Sequence, residues 1–400
     1  MRPWRGAMVS VDLPVDPGLP MGGYAARTGV ATHTLDPLTA TIWVIQGTDH
    51  RTLCWVGLDS LAVTEPLRAA IEGHVRARHP GWHDVLVSAT HTHSGPAGWH
   101  GTVHPVLPAE LDESLIARTA QHIAEATTNV ALVEVDLSVA HTRLSGVASN
   151  RHSPEDFFDD SARVLSMRHR DELIGVVLDF ACHPTVLGPD NLGWSADLVA
   201  GVRAGLPAGV PLLFLQGAAG DVSTRFTRQA ATHDEVHRLG AVAAAKVREG
   251  LGVGGQQVAP GSITLRSTRC EFDTDPSLGV TAALTVDASR PEFDAHRAAQ
   301  ALASNRLPGQ SAFDVGIVDV GSLRWLTLPV ELGNRWGSDL AGEGELRVVG
   351  YTNGYAGYLV DREAHAAGHY EAVSSFFDAE TSEAIQRALM ALVRRRDQPE

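Results

Sequence analysis

The run Val85-Leu86-Val87-Ser88-Ala89-Thr90-His91-Thr92-His93-Ser94-Gly95-Pro96 constrains this chain more than any other stretch. Its β-branched, apolar start predicts a buried strand, and Gly-Pro ends it. Side chains alternate along a strand, so Val85, Val87, Ala89, His91 and His93 are expected on one side. The two imidazoles would then leave the strand in the same direction, about 7 Å apart along the backbone. One can bind a metal while the other lines the same pocket. Zinc takes neutral imidazole, and a catalytic site needs about three protein ligands and an open position. The bland alternative is a pair of surface histidines where a strand frays into a loop.

The segments before and after it alternate strand and helix. Thr39 to Gln46 and Thr52 to Leu58 read as a hairpin turned at Gly47-Thr48-Asp49. Thr64-Glu65-Pro66 opens a helix that ends near His79, before Pro80. Strand, helix and the His91/His93 strand form a βαβ-like unit, and ligand sites in open α/β sheets collect at the ends of such strands. Met21-Gly22-Gly23-Tyr24 is a glycine-permitted turn where backbone can approach a ligand closely. Trp99 to Pro105 is a loop whose histidines, His100 and His104, are expected to face solvent or a pocket rim. A helix from Glu110 to Thr127, a strand from Val133 to Arg143 and a polar turn over Ser149 to Pro154 follow. Strands over Arg163 to Arg168 and Ile174 to Ala181 lead to Cys182-His183-Pro184-Thr185. Pro211 to Leu215 runs into a loop of small residues, Gln216 to Ser223, and Asp234 to Glu249 is a helix. Gly252 to Gly261 is the best linker candidate. Beyond it come a strand (Ser262 to Ser267), a helix (Pro291 to Ser304) and a hairpin of Phe313 to Val320 with Leu323 to Val330, which delivers Glu331. Arg347 to Gly350, the aromatic segment Tyr351 to Tyr358 and a C-terminal helix over Glu380 to Arg395 complete the chain.

The fold class is therefore α/β, a mixed sheet flanked by helices with polar residues at strand ends. The whole of 1–400 is expected to form a single domain with at most a minor subdivision near 252–261. A net charge of −15, with no long run of one sign, argues against nucleic acid as a partner. No stretch is long and apolar enough for a transmembrane segment, and no apolar leader is visible. Cys54, Cys182 and Cys270 are sparse and odd in number, which suits a reducing compartment and a cytoplasmic location.

Each strand-end group has an ordinary explanation taken alone. His183 before Pro184 can be a hydrogen-bonded core histidine, Glu331 can pair with Arg335, and Cys182 is better read as a buried thiol than as a nucleophile. Ser223 is not in a G-x-S-x-G elbow, so a serine hydrolase is poorly supported. A metal phosphoesterase is weaker still, for want of an Asp-rich two-metal pattern or a phosphate-cradling loop.

Taken together the segments resemble the catalytic domain of the neutral, non-lysosomal ceramidases, zinc amidases that cleave the N-acyl bond of ceramide. The matching pieces are Met21 to Tyr24, Ser88 to Pro96, Asn150-Arg151, Phe180 to Thr185, Gln216 to Ser223, Pro329-Val330-Glu331 and Asn353-Gly354-Tyr355 through Tyr370-Glu371. They occur in the family's order over nearly the whole chain. The resemblance implies one zinc per chain, held by His91, His183, Glu331 and Tyr358. Tyr358 is preferred to Tyr355 because its spacing to Tyr370 fits the family better. His93 and Tyr370 would face the developing oxyanion, Arg151 would contact substrate and Ser223 would line the pocket.

Departures bear on the substrate. Thr224-Arg225-Phe226 stands where ceramidases usually continue Pro-Asn, and His365 where a tyrosine is usual. The family's C-terminal immunoglobulin-like domain is not expected after about residue 375, so the expected match is to a short form. The loops expected to wall the cleft (Trp99 to Leu107, Pro184 to Trp194, Asn334 to Leu346) are rich in Gly, Asp, Asn and His. The expectation is therefore a metal-dependent amidohydrolase acting on an N-acyl compound smaller and more soluble than ceramide. The alternatives are a true ceramidase with a lipid-like amide substrate, and a non-catalytic ligand-binding relative of the same fold.

Overall fold

Thr39–Gln46 and Thr52–Leu58 are almost entirely apolar or β-branched and form the expected antiparallel hairpin, buried on both faces. Around it the computed structural model builds two stacked sheets; residues 2–104, 107–252, 254–272, 312–342 and 346–394 are described. The helix expected over Pro291 to Ser304 lies outside them.

The larger sheet is mixed. Its strands run in the order Leu212–Gln216, Glu172–Phe180, Ser161–His169, Val133–Arg143, Trp4–Asp12, Thr39–Gln46, Thr52–Leu58, Asp84–Ala89. Only the outermost pair on each side is parallel. Gln256–Gln257, within the linker candidate, pairs antiparallel with Val139 and Ser138 of the Val133–Arg143 strand. The helices cover one face. Glu65–Arg78 has Thr64 at its N-cap and Pro66 in its first turn, and buries Leu67, Ile71 and Val75, spaced four apart on one stripe. Glu113–Ala126, capped by the Asp112 carboxylate on the Leu115 amide (2.9 Å), packs beside it. Leu198–Ala204 and His233–Gly252 cover the other half of that face. They cross where Gly201 meets Gly240, so closely that a Cβ on Gly240 would lie 2.1 Å from the Gly201 carbonyl carbon.

A second sheet, Ile263–Glu271, Ala312–Val320, Leu323–Thr327 and Leu346–Val349, packs on the opposite face of the first. Trp325, Val318 and Leu323 share one core with Trp43, Trp55, Leu213 and Leu215. The Trp325 indole donates to Asp179 Oδ1 (3.0 Å), and Arg163 donates to Asp179 Oδ2 (2.6 Å) from beneath the same indole ring. Helices Asn334–Ala341 and Ala379–Arg394 contribute Trp336, Leu340, Ile385 and Leu389 to the core on the far side of this sheet. The stacking of a second sheet is what strand-by-strand patterning could not supply.

The large sheet curls until its outer strands meet. Gly57 permits this, since a Cβ there would fall 2.5 Å from Leu213 Cδ1 on the opposite edge. The segment after Leu346–Val349 closes the gap. Gly350 N donates to Gln216 O on one edge, while Ala89 N donates to Tyr351 O and Asn353 N to Val87 O on the other. Tyr351 and Asn353 take left-handed φ values of 53° and 57° to do so. Among the described residues no helix is long and apolar enough to cross a membrane.

Candidate metal centre

Edge closure brings four strand ends to one point. The strand before the histidines stops at Ala89, and His91 has φ 68°, so strand alternation does not place His91 and His93, contrary to expectation. A left-handed turn does. It aims both rings inward, with Nε2 atoms 3.4 Å apart. His183, just past Glu172–Phe180, presents Nε2 at 3.1 Å from His91 Nε2. Glu331, which follows the second sheet's hairpin, places Oε2 3.2 Å from His91 Nε2 and 3.1 Å from His183 Nε2.

Two of the three imidazoles are pinned from behind. His91 Nδ1 donates to Leu61 O (2.7 Å) and His183 Nδ1 to Ala219 O (2.6 Å), so in each neutral ring Nε2 carries the lone pair. Two lone pairs and a carboxylate oxygen then converge within about 3 Å, and a cation satisfies all three at once. Burial holds His93 and His183 below the ordinary imidazole value. His93 differs from the other two rings. Its Nδ1 is buried and meets no partner among the described residues, and its ring packs edge-on against Tyr24. A Cβ on Gly23, at φ 100°, would lie 2.6 Å from His93 Cβ, so the close backbone approach expected of this turn is made toward His93. A donor set of imidazoles and a carboxylate is one of those that can hold a zinc ion.

The tyrosines divide. Tyr355 donates its hydroxyl to Glu331 Oε1, and Tyr351 OH lies 3.4 Å from Oε2, so both support the carboxylate from the buried side. Tyr358 is the register partner of Glu331 in a short parallel ladder, and its hydroxyl is 3.4 Å from Arg151 Nη2. Tyr358 lines the open cleft, together with Tyr370, Arg151, Ser223 and His93. Arg151 sits against the rings of both Tyr358 and Tyr370 and is anchored behind by Glu371, which also accepts from His152 (2.7 Å). The Ser223 backbone pairs with Ser149 within the segment expected to be a plain polar turn.

Several expectations are corrected. His100 and His104 are buried, with burial lowering each to about 4, because the loop tucks under the site instead of facing solvent. Most of Asn334 to Leu346 is helix, and Arg335 stacks over Phe157 instead of pairing with Glu331. Cys182 is a buried thiol whose pKa burial raises, as expected. The sequence assigns Gln216 no role of its own. Fully buried, it donates to Thr90 O (3.0 Å) and Cys182 O (2.8 Å), tying the two histidine-bearing loops together. Glu371 and Gln216 act through partners far away in sequence, and only the folded chain reveals them.

Fold and cluster together define an α/β protein with a strand-end cluster of side chains that could hold a cation. No family model matches the sequence, and no curated protein matches it. Solved structures do. The chain superimposes on a ceramidase complexed with C2 with a TM-score of 0.79 at 20% identity, over 99% of this chain and 76% of that one. It superimposes on neutral ceramidase from Pseudomonas aeruginosa with a TM-score of 0.77 at 21% identity, over 98% and 75%. The chain thus has the fold of a neutral ceramidase-like catalytic domain along nearly its entire length.

Proposed function

We propose that this chain is a zinc-dependent hydrolase of N-acyl amides. The convergence of His91 Nε2, His183 Nε2 and Glu331 Oε2, with both Nδ1 atoms pinned to carbonyls, carries the proposal. These three residues and Tyr358 would hold the metal. When bound, it lowers the pKa of a water toward about 7 and polarises the amide carbonyl.

The chain's own residues do the rest. Arg151, fixed by Glu371, orients the substrate across the Tyr358 and Tyr370 rings. His93 and Tyr370 donate to the carbonyl oxygen as it gains charge, each contributing roughly 3 kcal/mol by analogy with other oxyanion donors. A water oxygen bonds to the acyl carbon, the C–N bond breaks, and a water proton leaves with the amine. Ser223 lines the floor.

The cleft, about 420 Å³, has no Leu, Ile, Val, Met, Phe or Trp among its lining residues. Trp99, Val103, Leu187, Trp194 and Trp336, expected on loops walling the cleft, are buried in cores instead, and Leu192, the remaining one, is partly exposed but does not line the cleft. This supports a smaller, soluble N-acyl compound over a two-chain lipid.

The test is metal analysis of the purified chain followed by a panel assay of ceramide against short N-acyl amines and amino acids. One zinc per chain and turnover of the short amides are expected. His91→Ala and His183→Ala lose metal and activity together, and His93→Ala keeps the metal but loses rate. A chain without stoichiometric metal or turnover is a non-catalytic relative. Efficient ceramide turnover without the short amides makes it a true ceramidase.

A further inference from the structure

A second group of metal-type donors has no part in the proposed reaction, and none of its members lines the cleft. Asp36, just after the short strand His33–Thr34, faces His233 and His237 at the start of the helix His233–Gly252. Asp36 Oδ1 is 3.0 Å from His233 Nε2, and the two imidazole centroids are 4.5 Å apart. One ligand atom from each of the three residues lies within 4.8 Å of the others. Each donor is set up from its own element. Asp36 Oδ2 accepts from Ser195 Oγ (2.5 Å), and the Leu35 and Asp36 amides donate to Trp194 O (2.9 and 3.1 Å), which leaves Oδ1 for the helix. Positions four apart on a helix are surface neighbours, so His233 and His237 present their rings together. Glu235, between them in sequence, is engaged elsewhere, by the Gln229 amide and the Arg238 guanidinium. The stretch His233 to His237 is therefore not the H-E-x-x-H arrangement, in which a glutamate beside the metal acts as base. A plain hydrogen bond accounts for Asp36 with His233, but it needs no third donor, and His237 supplies one.

We infer that Asp36, His233 and His237 form a second metal site, for a divalent transition ion with water in its remaining positions. Two imidazoles and one carboxylate suit zinc and its neighbours, whereas magnesium and calcium take oxygen ligands. The positive end of the helix disfavours a cation here, and the Asp36 carboxylate supplies the compensating charge. His237 is exposed and the other two are half-buried. One protein donor fewer and an open outer shell make this site weaker than the buried centre by ~1,000-fold or more. It stays largely empty at zinc levels that just saturate that centre, and its ion is lost on purification. When filled, it ties the segment ending at Asp36 to the helix. The tie reaches further through Ser195, whose amide donates to Ser94 O (3.2 Å) and whose carbonyl accepts from Thr92 Oγ1 (2.7 Å). The ion thus braces the loop that carries His91 and His93 from outside the cleft.

The full chain is titrated with zinc by calorimetry, in a background of excess magnesium. A step of one ion in the micromolar range is expected, separate from any tighter step. His237→Ala and Asp36→Asn should each weaken that step by ~10-fold or more, the loss typical of a disturbed metal site, and leave the tighter one where it was. His237 is exposed, so its replacement keeps the fold, and circular dichroism of the variant checks this. Hydrogen exchange gives a second readout: zinc at the level that fills the weaker step should slow the amides of Leu35 and Asp36 in wild type and not in His237→Ala. Absence of the weaker step, or its displacement by magnesium, overturns the inference. A weaker step unchanged in both variants also overturns it, and places the ion at His152, His369 and Glu371 instead. Absence of the tighter step counts against the zinc hydrolase and leaves this site to be judged on its own two variants.

Discussion

Glu371 shows how much one buried side chain can hold in place. It is 1% exposed, bonded on one oxygen by Arg151 and on the other by His152. Burial alone would raise its pKa, but the two partners prevail and hold it at about 2, against an ordinary 4.5. A depressed carboxylate stabilises the fold fully above its unfolded pKa and loses that contribution as pH falls through the folded one. The stabilisation should therefore be complete above about pH 4.5 and fade toward pH 2. Glu371→Gln is expected to cost on the order of 3 kcal/mol at neutral pH, because it also strands the Arg151 charge. Denaturant midpoints over a pH series check this: the gap between wild type and variant should close below pH 4.5, and a pH-independent gap would show that the ionised carboxylate contributes nothing. At this scale the sequence disclosed the residues whose chemistry is local. His91, His93, His183 and Glu331 each stand beside a strand end and a breaker. Glu371 meets Arg151 across 220 positions, and no local pattern announces such a pair.

Among the elements, periodicity located most of the long strands and helices, the Thr39–Gln46 and Thr52–Leu58 hairpin to the residue, but not the strand Trp4–Asp12 or the helices Leu198–Ala204 and Asn334–Ala341. Short bridges such as Ser149–Asn150 with Val222–Ser223 were missed, since two residues carry no period. Nor could periodicity foresee which glycines are contacts. Gly240 sits mid-helix, where glycine normally costs stability, yet its missing Cβ lets two helix backbones touch at Gly201. Gly240→Ala must push those helices apart, and a loss of several kcal/mol or failure to fold is expected. Gly73, exposed in Glu65–Arg78 with nothing within 4 Å of its would-be Cβ, is the counter-case. Gly73→Ala should stabilise by about 0.5–1 kcal/mol through helix propensity alone. Thermal melts of the two variants should move in opposite directions. If both move the same way, propensity and not close packing governs these helices.

At the level of the whole molecule the centre is a clasp. His91 comes from one outer strand of the large sheet, His183 from beside the other, and Glu331 from the second sheet, so the three meet only when the sheets are stacked and curled. Without a cation the same convergence sets two lone pairs against each other at 3.1 Å. A metal that binds this arrangement and not the unfolded chain must therefore stabilise the entire fold. Free zinc at a hundredfold excess over its dissociation constant adds about 2.7 kcal/mol. For a chain this long that is roughly 3 °C in Tm. Two further groups among the described residues could also take an ion: Asp36 with His233 and His237, and His152 with His369 and Glu371. A shift in wild type alone is thus ambiguous, and the decisive comparison is with His183→Ala. Melts of chelator-treated wild type and His183→Ala are recorded with and without added zinc. Wild type should gain the shift and the variant should not, whatever the substrate proves to be. An equal shift in both would place the stabilising ion at one of the other two groups and remove the clasp from the account of stability.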